Sequence, residues 1–233
     1  MTLVLLVRHG LTATTGTVLT GRSPGIDLDE RGRDQAKALG ERLAQVPLDA
    51  IVTSPLERCA QTAQAIADAQ EQGGVTVTAD DSLSECRYGD WTGRPLKRLA
   101  SDPLWHVVQR HPSAARFPGE DGESFHDMQH RAVGAVRGWN ARLGPRAAYL
   151  ICSHGDVIKA VIADALGMHL DMLQRIQVDP CSLSVIRYTP LRPFLLRLND
   201  TGGSLESLAR AARRGHEGGR AGSQAAVGGG AGE

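Results

Sequence analysis

The sequence predicts an α/β protein: a three-layer sandwich with a mostly parallel central sheet and helices on both of its faces. Strand-like and helix-like segments alternate along the chain, which is the pattern of parallel strands connected by helices. Two short apolar runs, at 3–7 and 149–152, have the composition of buried strands. Each run is followed directly by polar residues, as expected where parallel strands end at one edge of a sheet.

Local signals predict the elements of the first third of the chain. A helix is predicted over about 30–45, because its apolar residues recur on one face. Strands are predicted at 50–53 and at 75–78. Between them Ser54 and Pro55 indicate the start of a second helix, with Ser54 as its cap and Pro55 in its first turn.

An irregular segment interrupts this pattern in the middle of the chain. Residues 80–123 are mixed in polarity and broken by prolines, so we expect an insertion over the sheet edge, with a lid at about 86–123. The regular elements predicted beyond it are a helix at 124–143, a strand at 149–152, a helix at 156–166 and antiparallel strands at 183–188 and 194–198.

The composition changes near residue 200. We expect one domain over 1–199 and a disordered tail rich in Gly, Ala and Arg over 200–233. Ten of the last 34 residues are glycine and large apolar residues almost vanish, so this segment cannot build a core. It holds at most a short helix at about 204–214.

Composition limits the classes of molecule that this protein is expected to bind. The 233 residues carry a formal net charge of zero, which favours neither nucleic acid nor a membrane surface. No apolar stretch is long enough to span a bilayer, and the first residues lack the pattern of a secretory signal. The four cysteines are far apart in sequence, which predicts reduced, buried thiols and a cytoplasmic location.

Two of the predicted strands are followed by similar polar residues at the sheet edge. The first ends in Arg8-His9-Gly10, and the strand at 149–152 ends in Ser153-His154-Gly155. A guanidinium offers a fork of donors to phosphate oxygens, and an imidazole nitrogen can attack phosphorus. The pairing therefore predicts a site of phosphoryl transfer.

Four sequence blocks, in this order, carry a resemblance to a known family. They are Arg8-His9-Gly10, the stretch SPLERCAQTA at 54–63, Leu83-Ser84-Glu85 with Gly89-Asp90-Trp91-Thr92-Gly93, and Ser153-His154-Gly155. Together the blocks resemble the histidine phosphatase superfamily, which has the phosphoglycerate-mutase-like fold, over residues 1 to about 189. The resemblance implies a phosphatase that uses no cofactor and no metal.

The resemblance also implies a role for each matching residue. His9 would be the nucleophile and become transiently phosphorylated, and Glu85 would act first as general acid and then as general base. The phosphate-binding set would be Arg8, Gly10, Arg58, His154 and Gly155, with His154 also counted as catalytic. Thr12, Thr20 and Gly21 lie in the loop after His9 and are expected to face the substrate. The loop departs from the family pattern, since Leu11 replaces an acid and Thr15 stands where an Asn is usual.

The main alternative within the family is a 2,3-bisphosphoglycerate-dependent phosphoglycerate mutase. Such mutases carry adjacent arginines followed by an aromatic residue in the insertion. Here the adjacent basic pair is Lys97-Arg98, and Leu99 follows it. We therefore favour a phosphatase acting on a small phosphorylated metabolite.

Other classes fit the sequence less well. Cys181 and Arg187 have the spacing of a tyrosine-phosphatase loop, but the residues between them alternate like a strand. A zinc hydrolase built on His9 and His154 lacks further ligands at suitable spacing. A non-enzymatic binding module would be expected to have lost at least one of the residues that grip phosphate. The oligomeric state stays open, with a homodimer through an edge strand as one alternative.

Overall fold

A mixed sheet forms the centre of the protein, with strand order β3-β2-β4-β1-β5-β6. The computed structural model describes residues 1–71, 73–202 and 213. The strands are β1 (Thr2–Arg8), β2 (Ala50–Thr53), β3 (Val77–Ala79), β4 (Ala148–Ser153), β5 (Leu183–Tyr188) and β6 (Pro193–Asp200). The first four strands pair in parallel, and β5 and β6 continue the sheet antiparallel beyond β1.

Helices cover both faces of this sheet. They are α1 (Glu30–Leu43), α2 (Glu57–Asp68), α3 (Leu96–Leu99), α4 (Pro103–Arg110), α5 (Phe125–Leu143) and α6 (Gly155–Ala165). Alternate residues of each strand enter different cores, because successive side chains of a strand point to opposite faces. Leu3, Leu5 and Val7 join the core under α1 and α2, whereas Val4 and Leu6 join the core under α5 and α6. The predicted three-layer α/β sandwich is confirmed.

The register of the two central strands positions the site. Arg8 pairs with Ser153 at the carboxyl ends of β1 and β4. The backbone N–H of His9 donates to the Ser153 carbonyl at 3.0 Å. The residues that follow, His9 and His154, therefore leave the sheet side by side, with ring centroids 5.3 Å apart.

The start of α2 differs from the prediction. The helix begins at Glu57, and Leu56 stands at the N-cap without a side-chain cap. Ser54 is not the cap because its hydroxyl lies 2.8 Å from Nε2 of His154. Ser54, a residue type that often caps helices, therefore contacts His154 instead of capping α2.

The middle of the chain is more regular than predicted. Asp102 caps α4 by accepting from the Leu104 N–H, and Pro103 occupies its first turn. Asp102 followed by Pro103 is a helix-start signal that is visible in the sequence. The prolines around it favoured an irregular segment instead. The aromatic residues Tyr88, Trp91 and Phe117 are buried in the core that α5 and α6 also form, so the segment is a packed part of the domain.

Two strand boundaries also differ from the predicted ones. The third strand lies at Val77–Ala79, two residues later at its start than predicted. The last strand extends to Asp200, whose carboxylate accepts from Arg42 at 2.8 Å. The predicted tail and its short helix at 204–214 fall, apart from residues 200–202 and 213, outside the described residues. No helix in the described part of the chain is both long and apolar enough to cross a bilayer.

Candidate active site

A cavity of about 250 Å³ opens at the carboxyl ends of β1 and β4. This volume lies at the low end of ligand pockets, which suits a small molecule. Its lining includes eight of the predicted site residues: Arg8, His9, Thr12, Thr20, Gly21, Arg58, Glu85 and Gly155. Gly10 and His154 are the predicted residues that stand behind the cavity wall.

Gly10 determines which nitrogen of His9 is available. Nδ1 of His9 lies 2.8 Å from the Gly10 carbonyl oxygen. A carbonyl can only accept a hydrogen bond, so Nδ1 carries the proton and Nε2 keeps its lone pair. His9 is 6% exposed, and this leaves Nε2 as the nitrogen that can attack a bound substrate.

The surroundings keep His9 neutral. Burial, together with the positive charges of Arg58 and Arg8, lowers the pKa of His9 from 6.5 to about 3. Each of these effects disfavours the charged imidazolium. His9 is therefore a neutral imidazole at neutral pH, as a nucleophile must be.

Two arginines that line the cavity have donors without a hydrogen-bond partner. One NH2 of Arg58 donates to the Gly21 carbonyl at 2.8 Å, whereas Nε and NH1 are buried without a partner. Arg8 donates from NH1 to the Val178 carbonyl at 2.7 Å, and its Nε likewise lacks a partner. Unpaired buried N–H groups are costly. Their presence beside His9 points to an anion as the missing partner.

His154 holds Arg58 in place. Its Nδ1 lies 3.3 Å from NH2 of Arg58, and a guanidinium can only donate. Nδ1 therefore accepts, and Nε2 carries the proton that it donates to Ser54. Burial above all, with His9 and the two arginines, lowers the pKa of His154 well below 6.5. Both ring nitrogens of His154 are therefore occupied by protein groups.

Glu85 is an acid with a raised pKa. Burial first, and the negative charge of Asp156 second, raises the pKa of the Glu85 carboxyl from 4.5 to about 7. The Cys86 backbone N–H donates to Oε1 of Glu85 at 3.0 Å and orients the carboxyl group. Oε2 lies 3.9 Å from Nδ1 of His154. Because His154 is neutral, this contact is no ion pair.

The backbone N–H of Gly10, which was predicted to bind phosphate, contacts another part of the protein. Its N–H donates to the Thr62 hydroxyl at 3.1 Å and so does not face the cavity. A side chain at Gly10 would come 2.6 Å from the Gly32 carbonyl oxygen at the start of α1. The glycine thus lets the His9 loop lie directly against that helix.

Hydroxyl groups line the loop after His9. Thr12 is buried, and its hydroxyl lies 2.9 Å from that of Thr15. The Thr15 hydroxyl also accepts from the Thr12 N–H at 3.0 Å. Gly21 adopts a positive φ of 53°, and its carbonyl accepts from Arg58. Thr15, which stands where the family pattern usually has Asn, therefore stabilises the loop through these two contacts with Thr12.

Sequence reasoning missed the group that positions Glu85. Arg131 of α5 donates to the carbonyls of Ser82, Ser84 and Glu85 at 2.8, 2.7 and 3.1 Å. Its Nε also forms a 2.6 Å ion pair with Glu123. Arg22 adds a 2.7 Å hydrogen bond from Nε to the Glu85 carbonyl. No sequence signal marks Arg131, because an arginine in a helix is usually solvated.

The cavity wall also carries polar groups that the sequence prediction did not include. Asp156 and Lys159 of α6 line the cavity together with Tyr88. Their positions two and five residues after His154 are a signal that could have been used, since both fall in the first turns of the helix that His154 begins. Within the described residues, no group of three or more His, Cys, Asp or Glu side chains is placed to hold a metal ion.

Relatives with known names match most of the chain. Phosphoserine phosphatase 1 of Hydrogenobacter thermophilus is 31% identical over 212 residues, which cover 86% of this chain and 93% of the relative. Glucosyl-3-phosphoglycerate phosphatase of Mycolicibacterium vanbaalenii is 33% identical and covers 72% of this chain and 76% of its own. A 2,3-bisphosphoglycerate-dependent phosphoglycerate mutase of Gloeobacter violaceus is 28% identical, over 78% and 83%.

Solved structures share the fold. Bacillus stearothermophilus YhfR superposes with a TM-score of 0.77 at 28% identity, covering 86% of this chain and 98% of that one. The chain belongs to the histidine phosphatase superfamily (branch 1), which it matches over residues 4–201. With phosphatases among its relatives, it is a phosphoric monoester hydrolase. The resemblance drawn from the sequence blocks is confirmed.

Proposed function

We propose that the protein hydrolyses phosphate monoesters of small metabolites, without a metal, through a phosphohistidine at Nε2 of His9. One observation carries the proposal. The Gly10 carbonyl holds the proton of His9 on Nδ1, and the free Nε2 shares a cavity with the unpartnered N–H groups of Arg8 and Arg58. A nucleophile and an oxyanion grip thus face the same small space.

In the first step Nε2 of His9 attacks phosphorus, and the bond from phosphorus to the ester oxygen breaks. The transition state is loose, so its catalysis depends on position and on neutralising the equatorial oxygens. Arg8 and Arg58 supply that neutralisation. Glu85, protonated up to about pH 7, gives its proton to the leaving alkoxide.

In the second step water replaces the histidine. Glu85, now a carboxylate, takes a proton from water as the water oxygen bonds to phosphorus and the bond from phosphorus to Nε2 breaks. Inorganic phosphate leaves, and Glu85 is protonated again. His9 returns to its neutral form, so the site is ready for another substrate molecule.

We assign His154 to positioning Arg58. Nδ1 of His154 accepts from Arg58, and Ser54 holds the ring from the other side. The carbonyl of Gly21 binds the same guanidinium nitrogen. These contacts direct the remaining Arg58 donors, Nε and NH1, toward substrate oxygens.

The phosphoglycerate mutase is the weaker candidate. A mutase needs cations that hold the second, acidic end of its substrate, and the basic pair suggested for this is Lys97 with Arg98. Both side chains are exposed on α3, and neither lines the cavity. We also propose a cytoplasmic location, in keeping with four buried free cysteines. A homodimer through the edge strand β6, where Leu196 and Leu198 are exposed, stays a prediction for analytical ultracentrifugation.

The test is hydrolysis of glycerol 3-phosphate and an aryl phosphate in the presence of a chelator. We expect His9→Ala to lower kcat by at least about 10³-fold, because the nucleophile is lost. His126, one of two exposed histidines on α5, provides a matched control, so His126→Ala is expected to retain full activity.

Two further measurements complete the test. The wild type, quenched in alkali, should carry a phosphoryl group that is labile to acid and absent from His9→Ala. A phosphoglycerate isomerisation assay on the same samples should be negative. Unchanged hydrolysis by His9→Ala would contradict the proposal, and isomerisation faster than hydrolysis would establish the mutase.

A further inference from the structure

Opposite charges occupy one part of the cavity wall that the proposed mechanism leaves unused. Asp156 and Lys159 lie one turn apart on α6, with Nζ of Lys159 3.4 Å from Oδ1 of Asp156. Their side chains are 21% and 18% exposed, and both line the same cavity as His9. The wall therefore presents a carboxylate and an ammonium group to a bound substrate.

Neighbouring residues hold this pair in place. The Tyr88 hydroxyl donates to Oδ2 of Asp156 at 2.9 Å, and the Lys159 ammonium donates to Oε1 of Gln174 at 3.1 Å. Capacity for a ligand remains, because an ammonium has three protons and Lys159 uses two of them. Each Asp156 oxygen likewise accepts one of the hydrogen bonds that it can take. The pair is fixed, but its hydrogen bonding is incomplete.

Asp156 also lies near the atom that leaves. Burial is the larger cause of the raised pKa of Glu85, and the negative charge of Asp156 is the second. Glu85 protonates the leaving oxygen in the proposed mechanism. A charged group on the carbon atoms next to that oxygen would therefore meet Asp156 and Lys159.

We propose that Asp156 and Lys159 bind the ammonium and the carboxylate of the leaving group, so that the substrate class is a phosphorylated amino acid of the phosphoserine type. This inference rests on the proposed function. A substrate that carries only a carboxylate would be attracted by Lys159 and repelled by Asp156. A zwitterion satisfies both groups, which is why the net-neutral pair favours it.

Four alkyl phosphates separate the two contributions. Phosphoserine carries both charges, 3-phosphoglycerate only the carboxylate, phosphoethanolamine only the ammonium, and glycerol 3-phosphate neither. All four have an alkoxide leaving group that needs Glu85. Ratios of kcat/KM to that of glycerol 3-phosphate, measured at one pH, therefore cancel any effect of a variant on the acid.

The wild type should prefer phosphoserine over each of the other three esters. Lys159→Met should lower the ratio for phosphoserine by about 10- to 100-fold, the value of one charge-assisted hydrogen bond. It should raise the ratio for phosphoethanolamine, because the repulsion between the Lys159 ammonium and the substrate ammonium is gone. Asp156→Asn should lower the ratios for phosphoserine and phosphoethanolamine, and it should raise the ratio for 3-phosphoglycerate, because the repulsion is gone.

Lys37→Met serves as the matched control, since it removes the same charge from an exposed position of α1 outside the cavity. All its ratios should equal those of the wild type, and melting temperatures should show that every variant is folded. The inference is overturned if phosphoserine is hydrolysed no faster than glycerol 3-phosphate, or if neither variant changes the ratios. Absence of hydrolysis for all four esters and for an aryl phosphate would instead overturn the proposed function, and the inference with it.

Discussion

At the scale of single residues, two side chains of the cavity have pKa values in the reverse of their ordinary order. Burial and two arginines lower the pKa of His9 to about 3, and burial with Asp156 raises the pKa of Glu85 to about 7. A neutral base and a neutral acid thus coexist in one cavity. In water, between about pH 4.3 and pH 6.5, most molecules with this pair of groups would instead carry a charged imidazole and a charged carboxylate.

This reversal predicts the pH dependence of the reaction. His9 is neutral above about pH 3 and Glu85 is protonated below about pH 7, so kcat/KM for glycerol 3-phosphate should be highest between these values and fall above pH 7. Asp156→Asn removes a like charge from beside Glu85, so the alkaline limb should move to lower pH. Comparison with the wild type separates this shift from the ionisation of the substrate. An alkaline limb at the same pH in both proteins would contradict the assignment of Glu85.

A second prediction concerns the contact between the His9 loop and α1. A Cβ added at Gly32 would overlap the Leu11 carbonyl oxygen, which is backbone and cannot swing away. We expect Gly32→Ala to lower the free energy of unfolding by about 1–3 kcal/mol and to reduce activity, because the loop must shift.

The control is a glycine with space around it. Gly134 lies exposed on α5, and an added Cβ there meets nothing within 4 Å. Gly134→Ala should stabilise the protein by about 0.5–1 kcal/mol, because alanine favours the helix. Chemical denaturation measures both variants, and equal effects would show that the contact of Gly32 is unimportant.

At the scale of elements, α5 holds the segment that carries Glu85. Arg131 reaches from this helix to three backbone carbonyls at 82–85 and pairs with Glu123, which is 7% exposed. The carboxylate of Glu123 also accepts from the Arg87 N–H at 3.0 Å. A helix thereby fixes an irregular loop that has little structure of its own.

Loss of this arginine should therefore affect both stability and catalysis. Arg131→Met leaves Glu123 as a buried, unpaired carboxylate, and we expect it to cost about 3–5 kcal/mol of unfolding free energy and to lower kcat. Arg137→Met is the control on the same helix, because its ion pair with Asp164 is exposed and should contribute less than about 1 kcal/mol. Similar losses for both variants in urea denaturation would contradict the positioning role.

At the scale of the whole molecule, the last described strand closes the sheet near residue 200. The edge strand β6 ends at Asp200, and Arg42 of α1 donates to the Asp200 carboxylate and to the Gly202 carbonyl at 2.8 and 2.9 Å. The family match also ends at residue 201. Within the described part of the chain, the strands and the residues that line the cavity all lie before this point.

Truncation after residue 202 tests that boundary. We expect the shortened chain, 1–202, to keep the melting temperature and the kcat/KM of the full chain, because the contacts that close the sheet are retained. Thermal unfolding and a phosphatase assay on both chains measure this. A lower melting temperature or a weaker activity would assign a role to the residues beyond 202.

The sequence alone determined the architecture, since apolar runs of strand length and one-sided helices can bury their surfaces only by stacking in layers. Its local, ordered blocks also predicted His9, Arg58 and Glu85 as site residues, and the structure places all three on one cavity. Local patterns could not show that Ser54 is drawn from its cap position to His154, or that Arg131 crosses from α5 to the Glu85 loop. Contacts between residues 70, 96 and 100 positions apart form only when strands pair in register. The tautomer of His9 and the opposed pKa shifts likewise arise from burial and from charges that distant segments bring together, so only the tertiary structure decided them.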